Sequence, residues 1–501
     1  MARTLLEDQA DFVIVGTGAG GATAARILAE AGRSVLLLEE GPHLSTEQRP
    51  TGLLDAMASA VRDFGTQTTA GTTPMPLLQG RLVGGSTAIN SGIIWRMPDD
   101  VREDWIASHG LDDLVDAREM ARIYERIEDE LEIGETGSHV SGGNSDRMAE
   151  AARALGLPGK AITRNARRCQ GRARCLQGCP HEARQSMDVS YIPRAIRDGA
   201  RLHDMCRASK VIVENGRAVG VAGDVLDRET RRKRGRFEVR ARVAVIVSAG
   251  AIHTPLVLRR TGLGGLVGER FQAHPGAAVV GRFPKPIGMG FGATQGYEVP
   301  MRDRGYKLES LSLPPEMLAA RLPGAGPRWQ ERLAELDHYA QWCVQIRMKA
   351  HGTVRPSWGG APVVRYEPRP DDLAKAHEAI ALICRMMFVA GATEVYPGLG
   401  HFPEVLTDPK QVEDLERATL RRADIHFMAS HLFGTACAGA DPRRSVVGPD
   451  LQSHDVRSLY VMDASVFPTN MGVNPQHSIM TVVWRATERL ANAGRARIAV
   501  A

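Results

Sequence analysis

DFVIVGTGAGGATAARILAEAGRSVLLLEEG, residues 11–41, is the stretch that decides the fold. Asp11 to Val15 is a short, β-branched apolar run that stops at a glycine cluster, and the alanines and leucines after it repeat at helical spacing. Ser34 to Gly41 holds a second apolar run, so strand, turn, helix and strand follow in the β-α-β order of a dinucleotide fold. Gly16, Gly18 and Gly21 form G-x-G-x-x-G in the turn. The first glycine permits the tight turn, the second lets backbone approach a pyrophosphate, and the third lets helix and strand pack closely. The helix N-terminus then turns its free N–H groups and positive dipole end toward the phosphates. Glu39, at the end of the second strand, stands where an acidic side chain accepts hydrogen bonds from ribose hydroxyls, whereas Arg there would point to NADP. These residues alone do not choose FAD over NAD.

Working outward, residues 66–98 are rich in Gly, Thr and Pro and read as a long ordered loop, the kind of segment that often holds ligands. DAREMARIYERIEDELEI, residues 116–133, predicts an exposed helix packing one apolar stripe inward. KVIVENGRAVGVAG and RARVAVIVSAG read as strands returning to the sheet, with an Asn-Gly turn at 215 and 216. From about 276 to 428 the texture changes to VVGRF, a Pro-rich stretch, HYAQWCVQIRM and a helical AKAHEAIALICRMMFVAGA, which reads as a second lobe.

The chain has 501 residues, 43% of them hydrophobic, enough for one large core or two ordinary ones. Its net charge of +5 comes from 63 basic and 58 acidic residues, a small spread-out excess that gives no support to a nucleic-acid partner. The densest basic run, Arg231 to Arg236, lies between two strand-like segments and reads as a solvated hairpin tip. The amino terminus enters DFVIVG within about ten residues, leaving no room for an export signal. No apolar run approaches the ~18–20 residues of a membrane span. Seven cysteines, an odd count without an export signal, fit reduced thiols and a cytoplasmic location.

Three further segments carry a family resemblance. GRLVGGSTAIN at 80–90, continuing to IIWRMP, resembles the first signature of the glucose-methanol-choline (GMC) oxidoreductases, and GAIHTPLVLRRTGLG at 250–264 resembles the second, with Thr261 where Ser is usual. Residues 430–490, from SHLFGTACAGADPRRSVVGPD to the end of WRATERL, resemble the family's carboxyl-terminal segment almost throughout. The resemblance implies an α/β fold, α+β overall: a Rossmann-like FAD-binding domain of discontinuous chain, residues 1–275 and 429–501. A smaller substrate-binding domain, 276–428, is implied on a mixed or antiparallel sheet. It implies FAD as cofactor, with Gly84, Gly85, Ser86 and Asn90 contacting the flavin, Asp463 near the pyrophosphate and ribityl chain, and the backbone of Val211 meeting the adenine. Some relatives attach flavin through a His in the first signature; Ala88 in the matching stretch implies non-covalent FAD.

Taking hydride from an alcohol carbon requires the hydroxyl proton to leave as well, so a flavin site needs a base within reach of that oxygen and a polar group to steady the developing alkoxide. His431, in H-x-x-G-T, matches the family's catalytic His, and Asn474, in V-N-P, its His-or-Asn partner. Neighbouring His477, at the start of a helix, reads as packed or capping, and His274, in His-Pro, as structural. The implied reaction is oxidation of a small-molecule alcohol to the carbonyl, with oxygen or another acceptor reoxidising the flavin. Lyase or decarboxylase chemistry on the same scaffold is the alternative.

CQGRARCLQGCP places Cys169, Cys175 and Cys179 in register with ferredoxin-like ligand spacing, but Arg172 stands at the second ligand position. No metal is expected; the run reads as reduced thiols or a local disulfide. GCPHEARQSMDVSYIPRAIRDGA, residues 178–200, and FQAHPGAAVVGRF, residues 271–283, resemble the branch with long-chain alcohol oxidases, which leans toward a bulky or hydrophobic alcohol and leaves sugars and polyols open.

Overall fold

The computed structural model describes residues 5–50 and 52–498; Met1–Thr4, on which the export expectation partly rests, lie outside them. The opening motif folds as its sequence predicts. Strand Leu5–Val15 runs into the glycine turn, helix Ala19–Glu30 follows, and strand Val35–Leu38 lies parallel to the first, all four of its side chains buried. The sheet continues outward through Arg201–His203 on one side and Lys233–Val247 on the other, both parallel to their neighbours. Strands Arg217–Leu226 and Cys206–Glu214 extend it as an antiparallel meander, and Leu459–Val461 adds a parallel strand beside Val245–Val247. Asn215 and Gly216 both take positive φ, 50° and 71°, the geometry that a two-residue hairpin turn requires. The basic run Arg231 to Arg236 spans a hairpin tip and the start of its second strand.

The second sheet is antiparallel throughout, in the order Glu394–Tyr396, Gln272–Arg282, Tyr339–Ile346, Tyr306–Ser310, Tyr297–Met301 and Lys160–Ala161; Met428–Phe433 pairs with the start of Gln272–Arg282. Breaks at 276 and 428 therefore fall inside strands rather than between them. The sheet also draws on the chain before 276, because helix Gly143–Ala154 buries Met148, Ala151 and Ala152 in the same core. Helix Pro370–Val389 covers one face. The pleat sorts the side chains: Trp342, Val344 and Ile346 join the apolar core, while Cys343 and Gln345 line a cavity on the opposite face. That cavity lies between the two sheets' bodies, so each contributes one wall.

Among the described residues no helix is long and apolar enough to cross a membrane.

Candidate active site

The cavity, about 750 Å³, runs from the glycine turn at Gly16 and Gly18 to His431 and Asn474. The turn is crowded except at one point. An added Cβ at Gly16, Gly20 or Gly21 would lie 2.2 Å or less from a backbone oxygen, but at Gly18 it would meet nothing within 4 Å. Gly18 thus leaves open space at the N-terminus of the Ala19–Glu30 helix, where unpartnered N–H groups and the dipole favour a phosphate. Glu39 lines the same end; Thr17 N–H and Oγ1 donate to its Oε2 at 3.1 and 2.6 Å, and Gly41 N–H donates to Oε1 at 2.9 Å. Burial raises its pKa against those bonds.

The 80–90 segment docks directly on this turn. Gly84, left-handed at φ 92°, donates its N–H to Thr17 Oγ1 at 3.0 Å, and a Cβ on Gly85 would lie 3.0 Å from Gly18 Cα. Gly85, Ser86 and Asn90 line the cavity, while Gly84 and Gly21 stand behind it. Asn90 Nδ2 donates to Gln476 Oε1 at 2.7 Å, tying the loop to the carboxyl-terminal segment. Asp463 also lines the cavity, and its carboxylate accepts from Gly250 N–H, Thr254 Oγ1 and Ser465 N–H at 2.8, 2.5 and 2.8 Å, joining the second signature to the third.

Val211 is not brought to the cavity. Its side chain is buried in the sheet and its N–H donates to Thr261 Oγ1 at 2.9 Å. Ala208, three residues earlier, lines the cavity instead. Three residues of strand shift the backbone by about 10 Å, enough to take it from the cavity edge into the sheet.

The cysteine run has a bracing role. Cys169, Cys175 and Cys179 are unpaired, and the arginines around them hold residues 88–91. Arg164 Nε donates to Ser91 O at 2.9 Å, its Nη2 lies 3.2 Å from Cys175 Sγ, and Arg184 donates to the carbonyls of Ala88 and Asn90 and, at 2.6 Å, of Cys175. Burial pushes the Cys175 thiol up, but Arg164 and Arg184 outweigh it and hold the pKa below the ordinary range.

At the far end, antiparallel pairing sets His274 opposite His431, with Nδ1 to Nδ1 at 3.1 Å. Asn474 Nδ2 lies 3.4 Å from His431 Nε2, and Lys307 Nζ lies 2.5 Å from Asn474 Oδ1. An ammonium has only donors, so the amide must turn Oδ1 to Lys307 and Nδ2 to His431. His431 Nε2 then faces a donor and carries the lone pair, its proton sits on Nδ1, and His274 Nδ1 accepts it. Burial, reinforced by the Lys307 charge, lowers the His431 pKa to about 3, and burial, with the repulsion that a second proton on the adjoining His431 ring would meet and the Lys307 charge, holds His274 well below its ordinary value. Both rings are neutral.

Lys307 is fully buried yet charged, because Glu298 and Glu309 lie 3.1 and 2.5 Å from it and raise its pKa against the desolvation that lowers it. Gln295 donates to Glu309 at 2.5 Å, Trp95 Nε1 donates to Glu298 at 3.1 Å, and Lys160 lies 3.6 Å from Glu298. Sequence reading missed this cluster and the part played by His274. His477 is packed as expected, its ring 4.5 Å from that of Tyr124 and its pKa lowered to about 3 by burial.

Residues 10–276 and 349–482 match two sequence profiles, each described as GMC oxidoreductase. An uncharacterized GMC-type oxidoreductase from Mycobacterium tuberculosis is 35% identical over 95% of this chain and 74% of its own length. A long-chain-alcohol oxidase from Arabidopsis thaliana is 25% identical over 96% of this chain and 68% of its own. The crystal structure of pyridoxine 4-oxidase from Mesorbium loti shares the fold, with a TM-score of 0.71 at 18% identity over 96% of this chain and 99% of that one.

Proposed function

The chain belongs to the GMC oxidoreductases, a family of FAD-binding flavoproteins, and from that premise we propose that it oxidises an alcohol to the carbonyl with His431 as base and Asn474 holding the substrate oxygen. One observation carries this reading: the His431 lone pair and the Asn474 N–H lie 3.4 Å apart at one end of a cavity whose other end is the Gly18 turn.

FAD, when bound, supplies the acceptor for the hydride that leaves the alcohol carbon. The protein handles the proton. A substrate hydroxyl placed between the two side chains donates to His431 Nε2 and accepts from Asn474 Nδ2. As the C–H bond breaks, the hydroxyl proton passes to Nε2, and the amide N–H, braced from behind by Lys307, steadies the charge developing on oxygen. The proton already on Nδ1 keeps its bond to His274, so the imidazole gains a charge without rotating. A neutral resting imidazole is the state this requires.

On the cofactor side, the proposed contacts are Gly16, Gly18, Glu39, Gly85, Ser86, Asn90 and Asp463, with Gly84 and Gly21 shaping the turn and loop and Ala208 in the place expected of Val211. Non-covalent attachment is proposed because Ala88 offers no linking nitrogen; acid precipitation should then release the flavin to the supernatant. A cytoplasmic setting is proposed from the odd cysteine count. The test of the reaction is anaerobic titration of the purified yellow protein with a panel of alcohols: bleaching of the flavin bands supports it, and bands that no alcohol bleaches refute it.

A further inference from the structure

Five arginines line the cavity. Arg62 pairs with Glu40 at 2.8 Å, Arg81 with Asp63 at 3.6 Å, Arg207 with Asp224 at 3.0 Å, and Arg260 donates to Gly360 O at 2.5 Å. Arg321 alone among them has no ion-pair or side-chain hydrogen-bond partner among the described residues. Its place is fixed by its neighbours: Leu318 and Leu322 are buried on either side of it, and its N–H closes a turn onto Leu318 O at 2.8 Å. The side chain is exposed rather than packed, yet protein surrounds it closely enough that desolvation lowers its pKa; the titratable group acting on it is the Cys343 thiol.

Arg321 shares the cavity lining with Cys343, which belongs to the substrate end. Cys343 lies on the cavity face of Tyr339–Ile346, in register with Glu309 and Ala278, and Glu309 contacts the Lys307 that braces Asn474. Glu309 does not serve as counter-ion to Arg321, since Lys307 and Gln295 already engage both its oxygens. Lys307 and Lys160 together balance Glu298 and Glu309. The charge left over at this end of the cavity is Arg321.

We infer that Arg321 is the specificity-determining residue of the substrate end and that the alcohol oxidised here carries an anionic oxygen group, a carboxylate or a phosphate. The inference rests on the alcohol-oxidation reading and narrows it. A guanidinium meets such a group with two parallel N–H bonds, and a neutral aliphatic alcohol in the same place leaves it desolvated without compensation. An aliphatic chain still has Leu311 and Met317 of the cavity lining to pack on.

The test uses the FAD-loaded protein, titrated anaerobically with n-alkanols, ω-hydroxyalkanoates and ω-hydroxyalkyl phosphates of matched chain length. Expected is half-saturation of flavin bleaching at about 10- to 100-fold lower concentration for the anionic member of a pair, the larger ratio identifying carboxylate or phosphate as the group. Arg321→Gln should erase that advantage, raising the anionic alcohol's half-saturation to that of its neutral partner, while the FAD content holds. Equal response to neutral and anionic alcohols, a preference that survives Arg321→Gln, or loss of FAD in that variant would each overturn the assignment. If no alcohol bleaches the flavin, the oxidation reading itself falls. Calorimetry with alkanoate and alkyl phosphate then decides the anion site alone: binding abolished by Arg321→Gln supports it, and binding indifferent to the substitution overturns it.

Discussion

Lys307 Nζ sits 2.5 Å from Asn474 Oδ1, wholly out of water, and this contact determines which end of the amide faces His431. Asn474→Asp tests it directly. The carboxylate keeps an acceptor against Lys307, so the fold and FAD content should hold, but it offers no N–H to the substrate oxygen. Loss of one such donor typically costs about 100- to 1,000-fold in rate, so flavin reduction at saturating substrate should fall by that order with little change in half-saturation. A variant that reduces flavin at the wild-type rate would show that the amide N–H has no part in the reaction.

Removing Lys307 asks a different question. Lys307→Met leaves Glu309 buried without its cation and Glu298 with only the more distant Lys160, and breaking a buried pair from one side costs about 3–5 kcal/mol. The urea midpoint should drop accordingly. Glu309→Gln is the milder partner variant, since it keeps the hydrogen-bonding shape and Glu298 still holds the ammonium. It should retain most of both stability and activity, and a collapse of either would mean that the second carboxylate, not the ammonium's contact with Asn474, is the essential element.

His431→Ala should keep FAD and slow flavin reduction by about 100-fold or more. The wild-type pH profile carries independent information. With the His431 pKa lowered to about 3 by burial and by Lys307, the lone pair on Nε2 is available throughout the neutral range. The rate of flavin reduction should show no acid limb near 6.5, where an ordinary imidazole titrates. Such a limb, abolished in His431→Ala, would mean that the ring is far more hydrated than its packing indicates.

The outline of this site is legible in the sequence because it is built from local patterns. The glycine spacing before helix Ala19–Glu30, the 80–90 loop and the Asn-Gly turn at 215 all act within a few residues of themselves. Lys307 and Glu309 are not legible in that way. Alternating charges in Tyr306–Ser310 look like the wet face of a half-exposed strand, and only the tertiary fold reveals that all five residues are buried. The Val211 expectation meets a related obstacle: which backbone of a strand reaches a cavity depends on where the tertiary fold sets its end, and the strand's own apolar pattern carries no record of that. His274 is hidden again by distance, since its partner His431 lies 157 residues away and is brought opposite by sheet pairing.

Gly18 separates a cofactor role from a structural one. Because a Cβ there meets no protein atom within 4 Å and the backbone φ is −68°, Gly18→Val should fold with thermal stability close to wild type in the flavin-free state. In the loaded enzyme its branches fill the space before the helix N-terminus, and FAD content should fall to near zero. Gly20→Val is the control, since its Cβ would lie 1.8 Å from Met462 O and should cost the fold itself. Normal FAD content in Gly18→Val would remove the phosphate from this turn.

Acid should weaken the whole fold through histidines that burial keeps neutral. His253, His431 and His477 are each lowered to about 3, and His274 well below its ordinary 6.5. Above pH 6.5 these rings are neutral folded or unfolded and contribute no pH dependence. As pH falls below that value the unfolded chain binds protons at positions where the folded one does not, so stability drains away until the folded-state values are reached. With four such groups the limiting slope is about 5 kcal/mol per pH unit, steep against a total stability of about 5–15 kcal/mol. The melting temperature should therefore fall sharply between neutrality and pH 5. His477→Phe, which replaces a ring packed on Tyr124 and spares the His431 and Asn474 pair, should shallow the slope by about one proton's share. A melting temperature flat across that interval would mean that these rings are protonated in the folded protein, and with it the neutral His431 on which the proposed proton transfer depends would be lost.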